Sequence, residues 1–312
     1  MKNIFKNPNV SRKFGIIASL LVLILVFTIL TDKFLSVSNF LNILQQAAIN
    51  LCVAVGMTFV IITGGIDLSV GSVMALSGMI MAQMMDAGIF PVAAVIAGLV
   101  IGAVFGGVNG LMIAKMQLQP FLVTLGTMSA YRGITLIISN GLPVRGFSSA
   151  YVNFMNSLNG IIPLPIIISL ILAFAALIVL KYFKFGQYLF ALGGNEEATR
   201  LSGINTAKMK IMTYAFSGFC SALAAVIFLG RLGAADPQAG NGYEMNAIAA
   251  AAIGGASLAG GKGSIVGTII GCLILQTLNN GLTLLNVQSF YQTFAIGVIV
   301  LIATIIDRYS SK

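Results

Sequence analysis

The sequence predicts an all-α fold, a polytopic membrane bundle of about ten transmembrane helices, on three observations. Only 8% of the 312 residues are charged and 58% are hydrophobic, with a mean hydropathy of +1.00. A water-soluble chain carries roughly 25% charged residues, so this one has too few to cover an aqueous surface. The apolar residues come in runs of about 20, the length that carries a helix across ~30 Å of hydrocarbon. The Lys and Arg residues gather between alternate runs, the asymmetry that orients membrane helices.

The first run, 14–30, follows a basic leader, 1–13, with Lys2, Lys6, Arg12 and Lys13. Thr31-Asp32-Lys33 stands where a signal peptide would place its small-residue cleavage site, so the run reads as an uncleaved first helix. Further runs cover 45–62, 69–85, 90–114, 121–138, 164–180, 211–229, 247–258, 265–285 and 291–306. The eighth is the weakest, short and rich in Ala and Gly. An even number of spans with the N-terminus inside puts both termini in the cytoplasm. The leader, Lys115, Lys181, Lys184, Arg200, Lys208, Lys210, Lys262, Arg308 and Lys312 then face inward. Only Lys33, Arg145 and Arg231 face outward, and Arg132 falls within a span. The net charge of +9 is therefore a positive-inside signal, and no nucleic-acid partner is expected.

The two longest polar connections, 139–163 outside and 182–210 inside, are too short to bury a core of their own. The chain reads as a single membrane domain, 1–312, in contact with lipid.

Glycine supplies the packing logic. Gly98, Gly102, Gly106 and Gly110 recur at every fourth residue of the fourth span, and Gly263, Gly267 and Gly271 do so at the ninth. Each set clears one helix face for close approach of another backbone, the means by which helices associate in lipid. These spans also end alike. Asn109-Gly110-Leu111 precedes Gln117, and Asn280-Gly281-Leu282 precedes Gln288 at the same spacing. Five spans separate the two, an odd offset that reverses direction, so the echo predicts an inverted repeat. A second echo, Gly64-Gly65-Ile66-Asp67-Leu68 against Gly254-Gly255-Ala256-Ser257-Leu258, would demand a same-direction repeat; the first is preferred because the glycine pattern accompanies it.

Several chemistries are disfavoured. There is no His, which removes the commonest proton shuttle and metal ligand. Cys52, Cys220 and Cys272 lie far apart in apolar runs and imply no disulfide framework. The acids sit mostly at helix ends, and no carboxylate pair lies inside a span. That argues against an ion-coupled carrier and against an intramembrane enzyme. The segment 256–263 resembles a phosphate-binding loop, but Ala256 stands where Gly is needed and Gly263 where Ser or Thr is needed. No cofactor or metal is expected, and no catalytic residue.

The longest inner connection, 182–210, carries Gly193-Gly194-Asn195-Glu196-Glu197-Ala198-Thr199-Arg200-Leu201-Ser202-Gly203. Asn195 suits a helix N-cap, the two Glu residues suit the positive end of the helix dipole, and Gly203 suits the C-terminal stop. A short docking helix facing the cytoplasm is expected, against the plainer reading of a solvated connector. The stretch resembles the coupling loop of ATP-binding-cassette importer permeases, whose pattern is Glu-Ala-Ala, three residues, then Gly. Glu197, Ala198 and Gly203 match in register. Thr199 replaces the second Ala, and the distal Ile-x-Leu-Pro of the broader pattern is absent. Gly64-Gly65-Ile66-Asp67-Leu68-Ser69-Val70-Gly71, the region from Gly242-Tyr243-Glu244 to Gly263, and Leu278-Asn279-Asn280-Gly281-Leu282 resemble the sugar branch of that family. The likeness runs from about residue 39 to 307.

The resemblance implies a permease subunit in the bacterial plasma (inner) membrane, present as two copies. Separate ATPase subunits would drive it, with Asn195, Glu196, Glu197, Ala198, Thr199, Arg200 and Gly203 receiving the force. An extracytoplasmic sugar-binding protein would deliver a monosaccharide, ribose or a related pentose first among them. The chain itself is then a pore and not an enzyme. For the path, Gln276, Asn279, Asn280 and Thr283 share one helix face, as do Gln46 and Asn50, with Asp67 and Asn109 added. Uncharged amides suit a neutral polyol, though interhelical hydrogen bonding accounts for them equally. The alternative class is a stand-alone channel or secondary carrier for a small polar solute.

Overall fold

The computed structural model describes the backbone of residues 8–156 and 163–310, and the side chains of 15–156, 163–302, 304 and 305. The first seven residues of the leader, with Lys2 and Lys6, lie outside the described residues, as does Lys312. The described chain is almost entirely helical. In order it forms α1 (Pro8–Leu30), α2 (Val37–Ile62), α3 (Val70–Asp86), α4 (Pro91–Lys115), α5 (Pro120–Ser139), β1 (Val144–Arg145), α6 (Ser149–Asn156) and α7 (Leu164–Tyr182). There follow α8 (Lys184–Gly194), α9 (Glu196–Leu201), α10 (Thr206–Leu232), β2 (Ala234–Ala235), α11 (Tyr243–Ile253), α12 (Ile265–Leu284) and α13 (Ser289–Ser310).

Among the described residues six helices, α2, α4, α5, α7, α10 and α12, are long and apolar enough to cross a membrane. Shorter apolar stretches occur at Gly15–Leu30, Val70–Asp86 and Ser289–Ile302. The fold is an all-α, multi-pass membrane bundle.

Local chemistry sets the helix ends. Pro at the first turn starts α4, α5 and α7, where its missing N–H costs nothing. Ser36, Asn205 and Ser264 cap α2, α10 and α12 by accepting a hydrogen bond from the backbone N–H three residues on. The second helix therefore begins at Val37, eight residues before the apolar run at 45. Asn39, Asn42 and Gln45 interrupt the hydropathy without breaking the helix, because amides do not disturb the i to i−4 ladder.

The eighth span also departs from the predicted 247–258. The helix α11 is shifted toward the N-terminus and ends at Ile253, because Gly254 and Gly255 (φ +94°) turn the chain. Gly263 likewise precedes α12 rather than joining its glycine face; a Cβ there would meet the Ile62 side chain.

The core is built around α2, nearly buried along its length, against α7, α10, α11 and α12. The most extensive helix pair is α4 on α10. A Cβ at Gly102 would lie 2.6 Å from the Gly218 carbonyl oxygen, one at Gly106 3.0 Å from Gly218 Cα, and one at Gly110 2.7 Å from Ile211 Cα. On the opposite face of α4, Ile96, Val100 and Val104 are more than half exposed. An apolar helix with glycine inside and branched residues outside is the pattern lipid selects, since lipid solvates Val and Ile while small residues allow backbone contact. Gly267 meets Gly254 and Gly271 meets Ala250 in the same way between α12 and α11. The strands β1 and β2 pair antiparallel, Val144 opposite Ala235, and so tie the 140–163 connection to the one after α10.

Candidate functional site

The inner connection folds as α8 followed by α9. Asn195 caps α9, its Oδ1 accepting from the Ala198 N–H at 2.9 Å, and Gly203 follows with φ +83°. Glu196 and Glu197 occupy the first turn. Arg200 donates from Nε and Nη2 to Glu197 (3.1 and 2.6 Å), and Lys210 pairs with Glu196 at 2.6 Å. The Arg200 guanidinium holds the Glu197 carboxyl below the usual carboxylate range. Thr199 is buried and donates to the Asn195 carbonyl, one turn back at the cap of the same helix, at 2.8 Å. Leu201 stands 74% exposed. Beside α9, the backbone of Gly193 packs against Ile62 at the end of α2 and within 2.5 Å, for an added Cβ, of the Gly261 nitrogen. The Gly261 N–H donates to the Ile62 carbonyl at 2.9 Å. The α8–α9 connection thus touches the central helix backbone to backbone, and the stacked rings of Phe185 and Phe59 join α8 to α2 as well.

Two segments are not helical where the chain traverses the bundle. One is 63–69, before α3; the other is 236–242, before α11. The second segment abuts the first turn of α3: a Cβ at Gly240 would lie 3.0 Å from Gly71 Cα. Gly240 (φ +77°) and Gly242 (φ +83°) give the second segment a course that L-residues resist. Arg132 braces it, Nη1 donating to the Pro237 and Ala239 carbonyls at 2.6 and 2.7 Å. Irregular backbone inside a membrane bundle is tolerated where protein partners satisfy it or where it lines a cavity.

The first segment is held by a buried polar network. Asp67 is 1% exposed. Its Oδ1 accepts from Ser69 N–H (3.0 Å) and Ser69 Oγ (2.6 Å), and its Oδ2 accepts from Ser217 Oγ of α10 (2.8 Å). Asn109 Nδ2 donates to Ser69 Oγ at 2.8 Å, and Tyr131 Oη donates to Asn109 Oδ1 at 2.9 Å. One carboxylate thereby joins α3, α4, α5 and α10.

The other residues singled out from sequence fall in the N-terminal half of α2 and the C-terminal half of α12. Asn280 exchanges two hydrogen bonds with Asn39 (2.8 and 2.9 Å). Gln46 Nε2 donates to Asn42 Oδ1 (3.2 Å), which also accepts from Arg231 Nη2 (2.7 Å). Asn279 Nδ2 donates to Gln276 Oε1 (3.3 Å), and Thr283 Oγ1 donates to the Asn279 carbonyl (2.8 Å). Asn50 is buried, its Oδ1 without a partner among the described residues. A broad depression of about 780 Å³ opens at this end, lined by Asp32, Lys33, Ser36, Asn39, Asn42 and Gln45 among others. Thus Asp67 and Asn109 come together in one network, and the amides of α2 and α12 in another. Sequence reasoning missed Ser69, Tyr131, Ser217 and Asn39. A lone hydroxyl in an apolar run carries no signal of its partner; only Asp67, needing donors, implied that some existed.

Comparison with known proteins fits this arrangement. Residues 39–304 match the family described as branched-chain amino acid transport system / permease component. The ribose import permease of Bacillus subtilis (strain 168) is 47% identical over 304 residues, covering 97% of this chain and 94% of that protein. The ribose import permease of Escherichia coli (strain K12) is 46% identical, covering 93% and 92%. The D-allose transport system permease of the same E. coli strain is 41% identical, covering 96% and 93%. No solved structure matches the chain. With a match over most of its length and relatives this similar, the chain belongs to the family of branched-chain amino acid transport system permease components.

Proposed function

We propose that this chain is the pore-forming permease subunit of an ATP-driven importer that carries a neutral monosaccharide, ribose or a related pentose, into the cytoplasm. The observation that carries the reading is near-half identity, end to end, to import permeases for ribose. A stand-alone channel or secondary carrier is not favoured by those relatives. The partners in this reading are an ATPase subunit, an extracytoplasmic sugar-binding protein, a second copy of this chain and the surrounding lipid, and no nucleic acid. ATP hydrolysis belongs to the separate subunit. The whole chain acts as one membrane domain with both termini in the cytoplasm of a bacterial inner membrane, a reading supported by the Lys and Arg distribution.

The architecture in this reading is ten crossings in two inverted halves of five, α1–α5 and α7 with α10–α13. Its support is a correspondence of packing partners. In one half α3 packs on α4, on α5 and on α10; in the other α11 packs on α12, on α13 and on α2. Likewise α4 on α10 corresponds to α12 on α2. The irregular segment 236–242 meets the start of α3 through Gly240 and Gly71, between the halves. Discontinuous helices at the interface of inverted repeats are where transporters place their substrate. The eighth crossing is α11 with its non-helical approach, 236–242.

Coupling runs through α9. Its exposed acids and Leu201 face the ATPase, and Gly193 passes the motion to the end of α2. The amides of α2 and α12 line the outer path, and the Asp67 network closes it on the inner side.

The experiment is uptake of labelled ribose into vesicles holding the permease and its ATPase, with the binding protein added. ATP-dependent accumulation supports the reading. Uptake that is independent of ATP, or absent for every pentose and hexose tried, refutes it.

A further inference from the structure

Three buried amide oxygens lack a hydrogen-bond partner among the described residues: Asn50 Oδ1 on α2, Asn246 Oδ1 on α11 and Asn279 Oδ1 on α12. An amide oxygen withheld from water without a donor loses bonds that it makes freely in solvent. Three such atoms on three helices that all pack on one another call for a common account.

Helix register sets them at neighbouring levels of the bundle. Gly254 lies against Gly267 and Ala250 against Gly271, so α11 and α12 run antiparallel, turn matching turn. One turn further, Asn246 reaches the level of Leu275. Asn279 sits on the Gly267 and Gly271 face, one turn beyond Leu275. Between α2 and α12, the Thr58–Thr268 bond (2.8 Å) and the Asn39–Asn280 pair fix two points of contact. Asn50 and Gln276 both lie between those points. Gln276 already takes the Nδ2 proton of Asn279, which turns the Asn279 oxygen into the free end of that pair. The outer depression begins beyond this level, at Asn39 and Asn42.

We propose that Asn50, Asn246 and Asn279 form a hydroxyl-reading station on the path, whose carbonyl oxygens accept O–H groups of a neutral sugar in transit. Asn246, which no sequence pattern marks, is its specificity-determining member. The chemistry is complementary: a polyol brings several donors, and the station holds several unused acceptors on separate helices. Sites built to bond a substrate hydroxyl discriminate against the analogue that lacks it, because the site's own polar group is then left unpaired. This station rests on the sugar-importer reading above.

The test uses the assembled transporter in vesicles, with ATPase and binding protein, each sugar saturating the binding protein. Uptake of ribose is compared with that of its singly deoxygenated analogues for wild type, Asn246→Leu and Asn246→Gln. The expected result is a preference for ribose over at least one analogue that falls about tenfold in Asn246→Leu, the worth of one hydrogen bond. Asn246→Gln, which keeps an acceptor, should recover part of it. If Asn246→Leu does not assemble with the ATPase, Asn279→Leu carries the same comparison. Equal loss of all sugars with no change in preference, or no change at all, overturns the station and leaves the importer reading standing. A wild type that moves no monosaccharide overturns the importer reading, and the station with it, before any variant is made.

Discussion

A single methyl group at Gly106 should loosen the bundle at its most extensive helix contact. An added Cβ would stand 3.0 Å from both Gly218 Cα and Gly218 N, and closer still to the Tyr214 carbonyl oxygen. These are backbone atoms, so no side chain can swing away. To restore ordinary contact α4 must move from α10 by on the order of 1 Å, which also parts Gly102 from Ala222 and Gly110 from Ile211. Overpacking of this kind costs about 1–3 kcal/mol, and the lost contact cannot be recovered by hydrophobic collapse, because lipid is as apolar as the helix. The neighbour supplies the control. A Cβ at Gly107 would lie 3.7 Å from Ala215 Cβ, an ordinary distance. Gly107→Ala should be neutral or stabilise by up to about 1 kcal/mol through helix propensity alone. The assay is thermal unfolding of purified protein in one detergent, read by loss of the monodisperse peak after heating. Gly106→Ala should melt several degrees below wild type, Gly107→Ala at or above it, and Gly106→Leu should barely assemble. Equal melting of the two alanine variants would show that α4 and α10 are not packed backbone to backbone.

Three further outcomes follow from named contacts. Gly203→Val places a β-branched residue at φ +83°, and Glu197→Lys removes the Arg200 pair; both should reduce ATPase recovered with tagged permease, or sugar moved per ATP, while insertion is normal, and wild-type values in both would make α9 a connector only. Asp67→Leu leaves the Ser217 hydroxyl and the Ser69 N–H without their acceptor, at about 1–3 kcal/mol for each unpaired donor. A double-mutant cycle of Asp67→Asn with Ser217→Ala should show coupling, and additive losses would remove the network from the account. Arg132→Leu frees the carbonyls of Pro237 and Ala239, so a cysteine placed at Ala239 should react faster with a water-soluble thiol reagent than in the parent protein; unchanged labelling would show that Arg132 does not hold the segment.

The membrane class, the glycine faces and the start and stop of α9 were legible because each depends on local chemistry. Lipid demands long apolar runs, close helices demand Gly at every fourth position, and a capped helix demands Asn195 before its acids and Gly203 after its end. The same locality misled where a polar residue sat inside a helix. Asn39, Asn42 and Gln45 looked like a boundary because hydropathy counts amides against a span, whereas Asn39 has a partner 241 residues away in Asn280. The eighth span looked weak because half of it is not helix. Its non-helical approach, 236–242, is held by Arg132 from α5 and covered by Gly71 from α3, and no window of sequence contains those partners. Asp67 was visible as an oddity, but its donors on α3 and α10 were not, since a hydroxyl bonds whatever the fold sets beside it. Sequence by itself determined the solvent, the element types and the family likeness, all of which follow from composition and short-range pattern. Tertiary structure alone decided which buried polar groups are paired and which, like Asn50, Asn246 and Asn279, are left open, because a hydrogen bond between helices is a property of two distant residues at once.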